Sequence, residues 1–332
     1  MTTSQPKASG PIRLIMAADS DYAIPLAVTV RSAVEKTQKP VELLVLDGGL
    51  TPNNREQLLD SWPAARLTVR WLEVNARQVG KLPVWGRMKS VTYYRLLLSD
   101  LAPAGWTKAL WLDCDILLLN DLSTLWDLEM SDWPLLAARD LVVPCLGSPY
   151  GVTAWQDLNL DPRLPHFNAG VMLLDLERWR AEHIGERAMG YLRQHGDRVC
   201  FFDQEALNAV LAGCWGELDP RWNQIASMAG QRFLDTSHLD SEVYRQVVEN
   251  PFLVHYSGSL KPWKCFGLAE YWKPWYEVLD RTAWAGWRPP ITLRTIALGL
   301  YSRKLRPWLY PLEVWYIALL RKRRLKNHRV TY

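Results

Sequence analysis

Two aspartates separated by one residue, in Asp113-Cys114-Asp115, are the most chemically loaded pair in the sequence. In an extended segment residues i and i+2 point to the same side, so their carboxylates converge and repel. A divalent cation relieves that repulsion, and hard carboxylate oxygens suit Mg²⁺, Mn²⁺ or Ca²⁺. A D-x-D tripeptide is common by chance, and a solvated turn would use it equally well. What favours a cation is the apolar run 108–112 directly before it, which makes this a strand-end pair. His255 follows another apolar triplet. A lone histidine is most often a satisfied polar residue, yet an imidazole joined to two carboxylates shifts the preference from Mg²⁺ towards Mn²⁺. Beyond it, Gly258 allows a backbone to approach a ligand closely, and Lys261 is a point charge of the kind that holds phosphate, with a solvated loop lysine as the plain alternative. Asp19 and Asp21, on either side of Ser20, follow the first apolar run, where acids accept hydrogen bonds from ribose or base groups.

These residues need strand ends to carry them. Residues 12–18 are an apolar run of strand length, 24–36 have the spacing of an amphipathic helix, and 41–46 are a second buried strand closed by Asp47-Gly-Gly49. A helix from Pro52, a third strand around 67–74, a helical stretch at 90–100 and the strand 108–112 follow. Phe167-Asn-Ala-Gly-Val-Met-Leu-Leu174 is a further apolar run with a small-residue entry, residues 203–211 read as a helix, and 252–256 lead into Ser-Gly-Ser-Leu-Lys-Pro-Trp263. Strands that alternate with helices predict an α/β fold with a mostly parallel central sheet, because parallel neighbours need long crossovers that helices fill. Ligands of such sheets sit beyond the carboxyl ends of the strands.

The chain has 332 residues, of which 48% are hydrophobic and 22% charged, enough to bury a sizeable core and too few charges for disorder. Its five cysteines are odd in number, scattered and without a C-x-x-C pair, which argues against a zinc or disulfide framework. The polar opening and the short run 12–18 lack a secretory pattern, so a cytoplasmic location is expected. No G-x-G-x-x-G follows the first strand and neither a Walker loop nor a G-x-S-x-G elbow occurs, which disfavours dinucleotide, P-loop and α/β-hydrolase chemistry.

Taken in order, Ala17-Ala-Asp-Ser-Asp-Tyr22, Tyr94-Arg95, Leu112-Asp-Cys-Asp115, Phe167-Asn-Ala-Gly170, Asp203-Gln204 and His255-Tyr-Ser-Gly-Ser-Leu-Lys-Pro-Trp263 resemble glycosyltransferase family eight. That family includes bacterial lipopolysaccharide galactosyl- and glucosyltransferases and, more distantly, glycogenin; the likeness covers about residues 12–275. It implies a GT-A fold and retaining transfer of galactose or glucose from a UDP-sugar to a saccharide, with lipopolysaccharide core or another lipid-linked glycan as acceptor. The implied cofactor is Mn²⁺, with Mg²⁺ as the alternative. Asp113, Asp115 and His255 correspond to metal ligands, Ala17, Asp19, Asp21 and Tyr22 to uridine contacts, and Gly258 and Lys261 to diphosphate contacts. Arg95, Asn168, Asp203 and Gln204 would surround the donor sugar. Negative charge builds on the departing UDP, and a metal and a lysine stabilise it. An amide is a poor nucleophile, so Gln204 favours same-face attack through a short-lived oxocarbenium-like state over a covalent adduct. Asp21 stands where many members carry Asn, and Cys114 where Thr or Ala is usual. Two other readings compete. A haloacid-dehalogenase-type phosphotransferase also uses a strand-end D-x-D, but after its first strand and with Thr or Val where this chain has Leu117. A non-catalytic sugar-nucleotide-binding membrane adaptor would need fewer of these residues intact.

The formal charge of +4 hides an asymmetry: residues 283–332 carry eleven Lys and Arg and one acid, leaving residues 1–282 mildly acidic. We therefore divide the chain into a catalytic domain, 1–282, and a basic tail, 283–332. In the tail Trp284, Trp287, Trp308 and Trp315 alternate with basic clusters that end in Arg321-Lys-Arg-Arg-Leu-Lys326. Its uncharged stretches, 295–302 and 314–320, fall short of the roughly twenty residues that cross a bilayer. Interfacial aromatics and the apolar run 312–320 favour an anionic membrane surface over nucleic acid as partner, hence peripheral association with the inner face of the cytoplasmic membrane. Packing of the tail on the body is the alternative.

Overall fold

The run that opens the sequence becomes β1 (Ile12–Ala18), buried along nearly all its length as a central parallel strand requires. The computed structural model describes residues 10–80, 82, 89–226, 240–258 and 260–301, and beyond these only Leu305, Trp308, Leu309, Leu312 and Trp315. Helix α1 (Ala23–Lys36) crosses back to β2 (Val41–Asp47), which pairs with β1 in register from Ile12 opposite Val41 to Ala18 opposite Asp47. Helix α2 (Pro52–Ser61) is capped by Thr51, whose hydroxyl accepts from Asn54 N–H while the Asn54 side chain accepts from Thr51 N–H, and it leads to the edge strand β3 (Leu67–Glu73). On the other side of β1 lies β4 (Lys108–Leu112), parallel to it.

The stretch expected as one helix at 90–100 is a 3₁₀ helix, Ser90–Leu97, running into the single turn α3 (Leu98–Leu101). Its five consecutive residues from Tyr93 to Leu97 are all buried, which a one-sided α-helical face does not accommodate. After β4 come β5 (Ile116–Leu118), α4 (Ser123–Trp126), β6 (Leu135–Arg139) and β7 (Phe167–Asp175). Then follow α5 (Leu176–Ala181), α6 (Ile184–His195), α7 (Phe202–Val210), β8 (Gly216–Glu217), β9 (Gln224–Ile225), α8 (Ser241–Glu249), β10 (Leu253–His255), α9 (Trp272–Leu279) and α10 (Leu293–Leu300).

The strands form a seven-stranded sheet of order β3-β2-β1-β4-β7-β6-β8 and a three-stranded sheet of order β5-β10-β9. Most neighbours are parallel, but β7 runs antiparallel to both β4 and β6. One apolar layer packs α1 and α2 on the large sheet and another packs the 3₁₀ helix, α6 and α7 on its opposite face. A third, aromatic layer of Tyr256, Trp263, Trp275 and Tyr276 lies under the small sheet. Truncating a fully buried indole such as Trp275 costs about 3–5 kcal/mol.

Of the tail aromatics, Trp284 and Trp287 pack against the body, and Arg281 and Arg288 pair with Glu35 and Asp280. Farther on, Leu293, Trp308, Leu312 and Trp315 are exposed, Trp308 by 83%. The basic run 321–326 lies outside the described residues. Among the described residues no helix is long and apolar enough to cross a membrane.

Candidate active site

β4 ends at Leu112 and β5 begins at Ile116, so Asp113-Cys114-Asp115 is the link between the two sheets. The N–H of Asp113 donates to the Gly170 carbonyl of the large sheet (2.9 Å), while the Asp115 carbonyl accepts from Tyr256 N–H beside the small one (2.8 Å). From α1, the Thr29 hydroxyl lies 2.7 Å from the carbonyls of both Cys114 and Ile116. The Cys114 thiol donates to the carbonyl of Ala17 at the end of β1 (3.1 Å). Bracing on three sides makes this a built turn rather than a solvated one.

On the small-sheet side, His255 Nε2 stands 3.2 Å from Asp115 Oδ1 and 3.9 Å from Asp113 Oδ2. One ligand atom from each of the three residues falls within 4.8 Å of the others. The amide nitrogen of Asn223 donates to Asn168 Oδ1 (2.8 Å), so its oxygen faces His255 Nδ1 at 2.9 Å. In the neutral imidazole that contact keeps the ring proton on Nδ1 and turns the Nε2 lone pair towards the carboxylates. The ring fits only because residue 170 is glycine, since a Cβ there would come within 2.4 Å of His255 Cε1. Lys261, also buried, donates to Asp115 Oδ2 and to the Tyr256 carbonyl (2.9 Å). Burial alone would raise the Asp115 carboxyl, but the Lys261 charge, joined by that of His255 when its ring is protonated, outweighs it and holds the group well below the usual range. Two carboxylates and an imidazole presenting a free nitrogen fit a divalent ion that accepts mixed oxygen and nitrogen ligands.

On the large-sheet side, buried Arg95 is held by hydrogen bonds from both terminal nitrogens. Its Nη2 donates to Asp113 Oδ1 (2.7 Å) and its Nη1 to the Ala169 carbonyl (2.6 Å). Its Nε lies 2.8 Å from Asp203 Oδ2, and the guanidinium rests 4.7 Å above the Trp111 ring. Trp111 Nε1 donates to the same Asp113 oxygen (2.9 Å). Burial pushes the Asp203 carboxyl up to about 6 despite Arg95. The Gln204 amide is engaged at both ends: Nε2 donates to Asp140 Oδ2 (2.8 Å) and Oε1 accepts from Ala169 N–H (3.1 Å). Asn168 is likewise occupied, donating to Asp140 Oδ2 (3.1 Å) and accepting from Gly170 N–H (3.0 Å) and Asn223.

At the end of β1, Asp19 Oδ1 caps Asp21 N–H (3.0 Å), and Lys89 Nζ lies 2.7 Å from both Asp19 Oδ2 and Asp21 Oδ2. The Lys89 hydrogen bond and charge lower the Asp21 carboxyl. Tyr22 meets Trp263 edge-on with centroids 6.1 Å apart, and burial followed by the Asp115 charge raises its phenol. Gly258 is exposed at φ +105°, a conformation only glycine adopts freely. The structure thus joins Asp113, Asp115, His255, Lys261, Arg95 and Asp203 into one cluster, with Gln204 and Asn168 behind it and Asp19, Asp21 and Tyr22 along its border. Sequence reasoning missed Thr29, Lys89, Asp140 and Asn223. Asp140 directly follows β6, and the strand-end rule that found Asp113 would have found it; the other three carry no local pattern.

The chain belongs to glycosyltransferase family 8, whose family model matches residues 13–266. It is 28% identical over 279 residues to General stress protein A of Bacillus subtilis, covering 82% of this chain and 94% of that protein. To the lipopolysaccharide 1,2-glucosyltransferase of Escherichia coli it is 26% identical over 224 residues, 66% of this chain and 62% of that enzyme. Among solved structures, the galactosyltransferase LgtC in complex with donor and acceptor sugar analogs matches at 25% identity and a TM-score of 0.71, covering 86% of this chain and 99% of LgtC. The fold is therefore GT-A and the protein a glycosyltransferase. The phosphotransferase reading has no support, since the D-x-D follows β4 rather than β1.

Proposed function

We propose that this protein moves galactose or glucose from a UDP-sugar to a saccharide acceptor with retention of the α configuration. The carrying observation is the clustering of Asp113, Asp115 and His255 within 4.8 Å, where the two sheets meet. These three residues would hold the divalent ion, and the imidazole nitrogen favours Mn²⁺ over Mg²⁺. When bound, that ion supplies Lewis-acid neutralisation of the charge that develops on the departing diphosphate. Lys261 adds a second positive charge beside it, and Gly258 lets the backbone approach the phosphates. Ala17, Asp19, Asp21 and Tyr22 border the uridine. Arg95, Asn168, Asp203 and Gln204 surround the sugar, and a Gln204 amide already bonded at both atoms favours same-face attack without a covalent adduct.

A lipid-linked saccharide such as lipopolysaccharide core is the acceptor we infer, supported by the similarity to the lipopolysaccharide 1,2-glucosyltransferase of E. coli. Residues 1–282 form the catalytic domain in this reading, and residues 283–332 bring it to the inner face of the cytoplasmic membrane. Support comes from the net positive charge of the tail and from exposed Leu293, Trp308, Leu312 and Trp315. Native protein and the Asp115→Asn variant, each given UDP-galactose, UDP-glucose or UDP-N-acetylglucosamine with and without Mn²⁺, test the activity. Release of UDP from one hexose donor that needs both Mn²⁺ and Asp115 is expected. Metal-independent release, or none from any donor, contradicts the reading.

A further inference from the structure

Helix α7 begins under strain. Its first residue, Phe202, has φ +41°, the left-handed region that bulky residues rarely enter, and the next two residues are Asp203 and Gln204. Such a conformation persists only where its surroundings impose it. The residue that follows, Glu205, is 0% exposed, and among the described residues no lysine or arginine pairs with it. Its Oε2 accepts from Cys200 N–H (2.7 Å), two residues before the strained position. Its Oε1 accepts from the Tyr191 hydroxyl of α6 (2.8 Å), from Thr153 N–H (2.7 Å) and from the Thr153 hydroxyl.

One carboxylate therefore ties together the turn that launches α7, the helix α6, and the long β6–β7 connection at residues 140–166. The first residue of that connection, Asp140, holds the Gln204 amide. Gln204 is thus fixed twice over, by Asp140 in front and through the Glu205 anchor behind. Four donors converge on two oxygens, an arrangement that demands an acceptor at both ends of the side chain. Glutamine would set its NH₂ group against the N–H of either Thr153 or Cys200, and aspartate falls one methylene short.

We propose that Glu205 is a positioning residue for sugar transfer, locking the start of α7 to the β6–β7 connection so that Asp203 and Gln204 face the ends of β4 and β7. The inference rests on the transferase reading above. The test compares native protein, Glu205→Gln and Thr153→Ala in Mn²⁺, measuring kcat for release of UDP from the donor that the native enzyme turns over, and calorimetric affinity for UDP. Displacing reacting groups by about 1 Å costs about 100-fold, so Glu205→Gln should lose about 100-fold in kcat. Its affinity for UDP should stay within about twofold, since neither the β1 edge nor the Asp113, Asp115 and His255 cluster touches Glu205. Thr153→Ala, which removes one of the four donors to Glu205, should lose about tenfold in kcat. A Glu205→Gln kcat within about threefold of native overturns the inference, and so does a parallel loss of UDP affinity, which a merely structural residue would give. Detection of a glycosyl adduct on Glu205 by mass spectrometry overturns it too, by making the residue a nucleophile. Should Glu205→Gln not fold, Thr153→Ala decides: a fall in kcat at constant UDP affinity supports positioning, and unchanged kcat refutes it. Native protein silent with every donor sinks the transferase reading and this inference with it, whereas an active native enzyme beside an unaffected variant sinks the inference alone.

Discussion

Asp113 and Asp115 are two residues apart, yet a different sheet holds each, and holds it in a different manner. Asp113 belongs to the seven-stranded sheet, where one of its oxygens is committed to Trp111 and to an arginine that also grips Asp203 and the Ala169 carbonyl. Asp115 leans on the three-stranded sheet, facing a histidine ring nitrogen and a lysine on a loop. The large sheet supplies fixed geometry, since each charge in its network is bound on several sides and none can leave without stranding the others. The small sheet supplies groups that can ligate a cation or carry positive charge to a ligand. A strand-end D-x-D at the seam lets one ligand draw on both.

Substitutions on the two sides should therefore fail differently. The largest effect falls on the small-sheet side: His255→Ala should weaken Mn²⁺ binding more than about 100-fold, measured by electron paramagnetic resonance, because losing a ligand exceeds the 10–100-fold cost of losing a ligand's supporting partner. Thermal unfolding without metal should change far less. On the large-sheet side, Arg95→Met should destabilise the fold by about 3–5 kcal/mol in urea, because Asp113 and Asp203 then face one another without compensation.

A smaller, graded effect comes from pH. The Asp203 carboxyl is raised from 3.8 to about 6 by burial, so between those values the native state binds a proton that the unfolded chain has released. Stability should accordingly fall as pH rises through that window. Turnover should rise with pH through about 6, as the Arg95–Asp203 ion pair completes itself, and Asp203→Asn should erase the inflection in the pH–rate profile. Least of all, Lys89→Met should alter unfolding stability by no more than about 1 kcal/mol, since the Lys89 side chain is 53% exposed and exposed pairs contribute little.

The same contrast explains what was legible in the sequence. The strand ends that carry Asp19, Asp113 and His255 follow apolar runs, and a run followed by an acid or a histidine is visible in one dimension. Five strands of the large sheet, β1 to β4 and β7, were readable as such apolar runs, β4 down to its limits, whereas β6 and the two-residue β8 were not. Three further features were not legible either. The small sheet rests on β5 and β9, of three and two residues, too short for any periodicity to register. The antiparallel direction of β7 leaves no mark in a run buried on both faces. Asn223 and Glu205 act through partners tens of residues away, at Asn168, His255, Thr153 and Tyr191, and no spacing announces such pairings. Residues 283–332 read as one basic tail, yet Trp284 and Trp287 pack on the body because the aromatic layer under the small sheet extends to meet them.

Calorimetric titration of UDP into the native protein, with and without Mn²⁺, tests most directly whether the two sheets build one seat for a cation and a diphosphate. The account predicts that Mn²⁺ tightens UDP binding by at least about tenfold, and that Asp115→Asn removes the gain while leaving the metal-free affinity unchanged. Equal UDP affinity in the presence and absence of Mn²⁺ would contradict it.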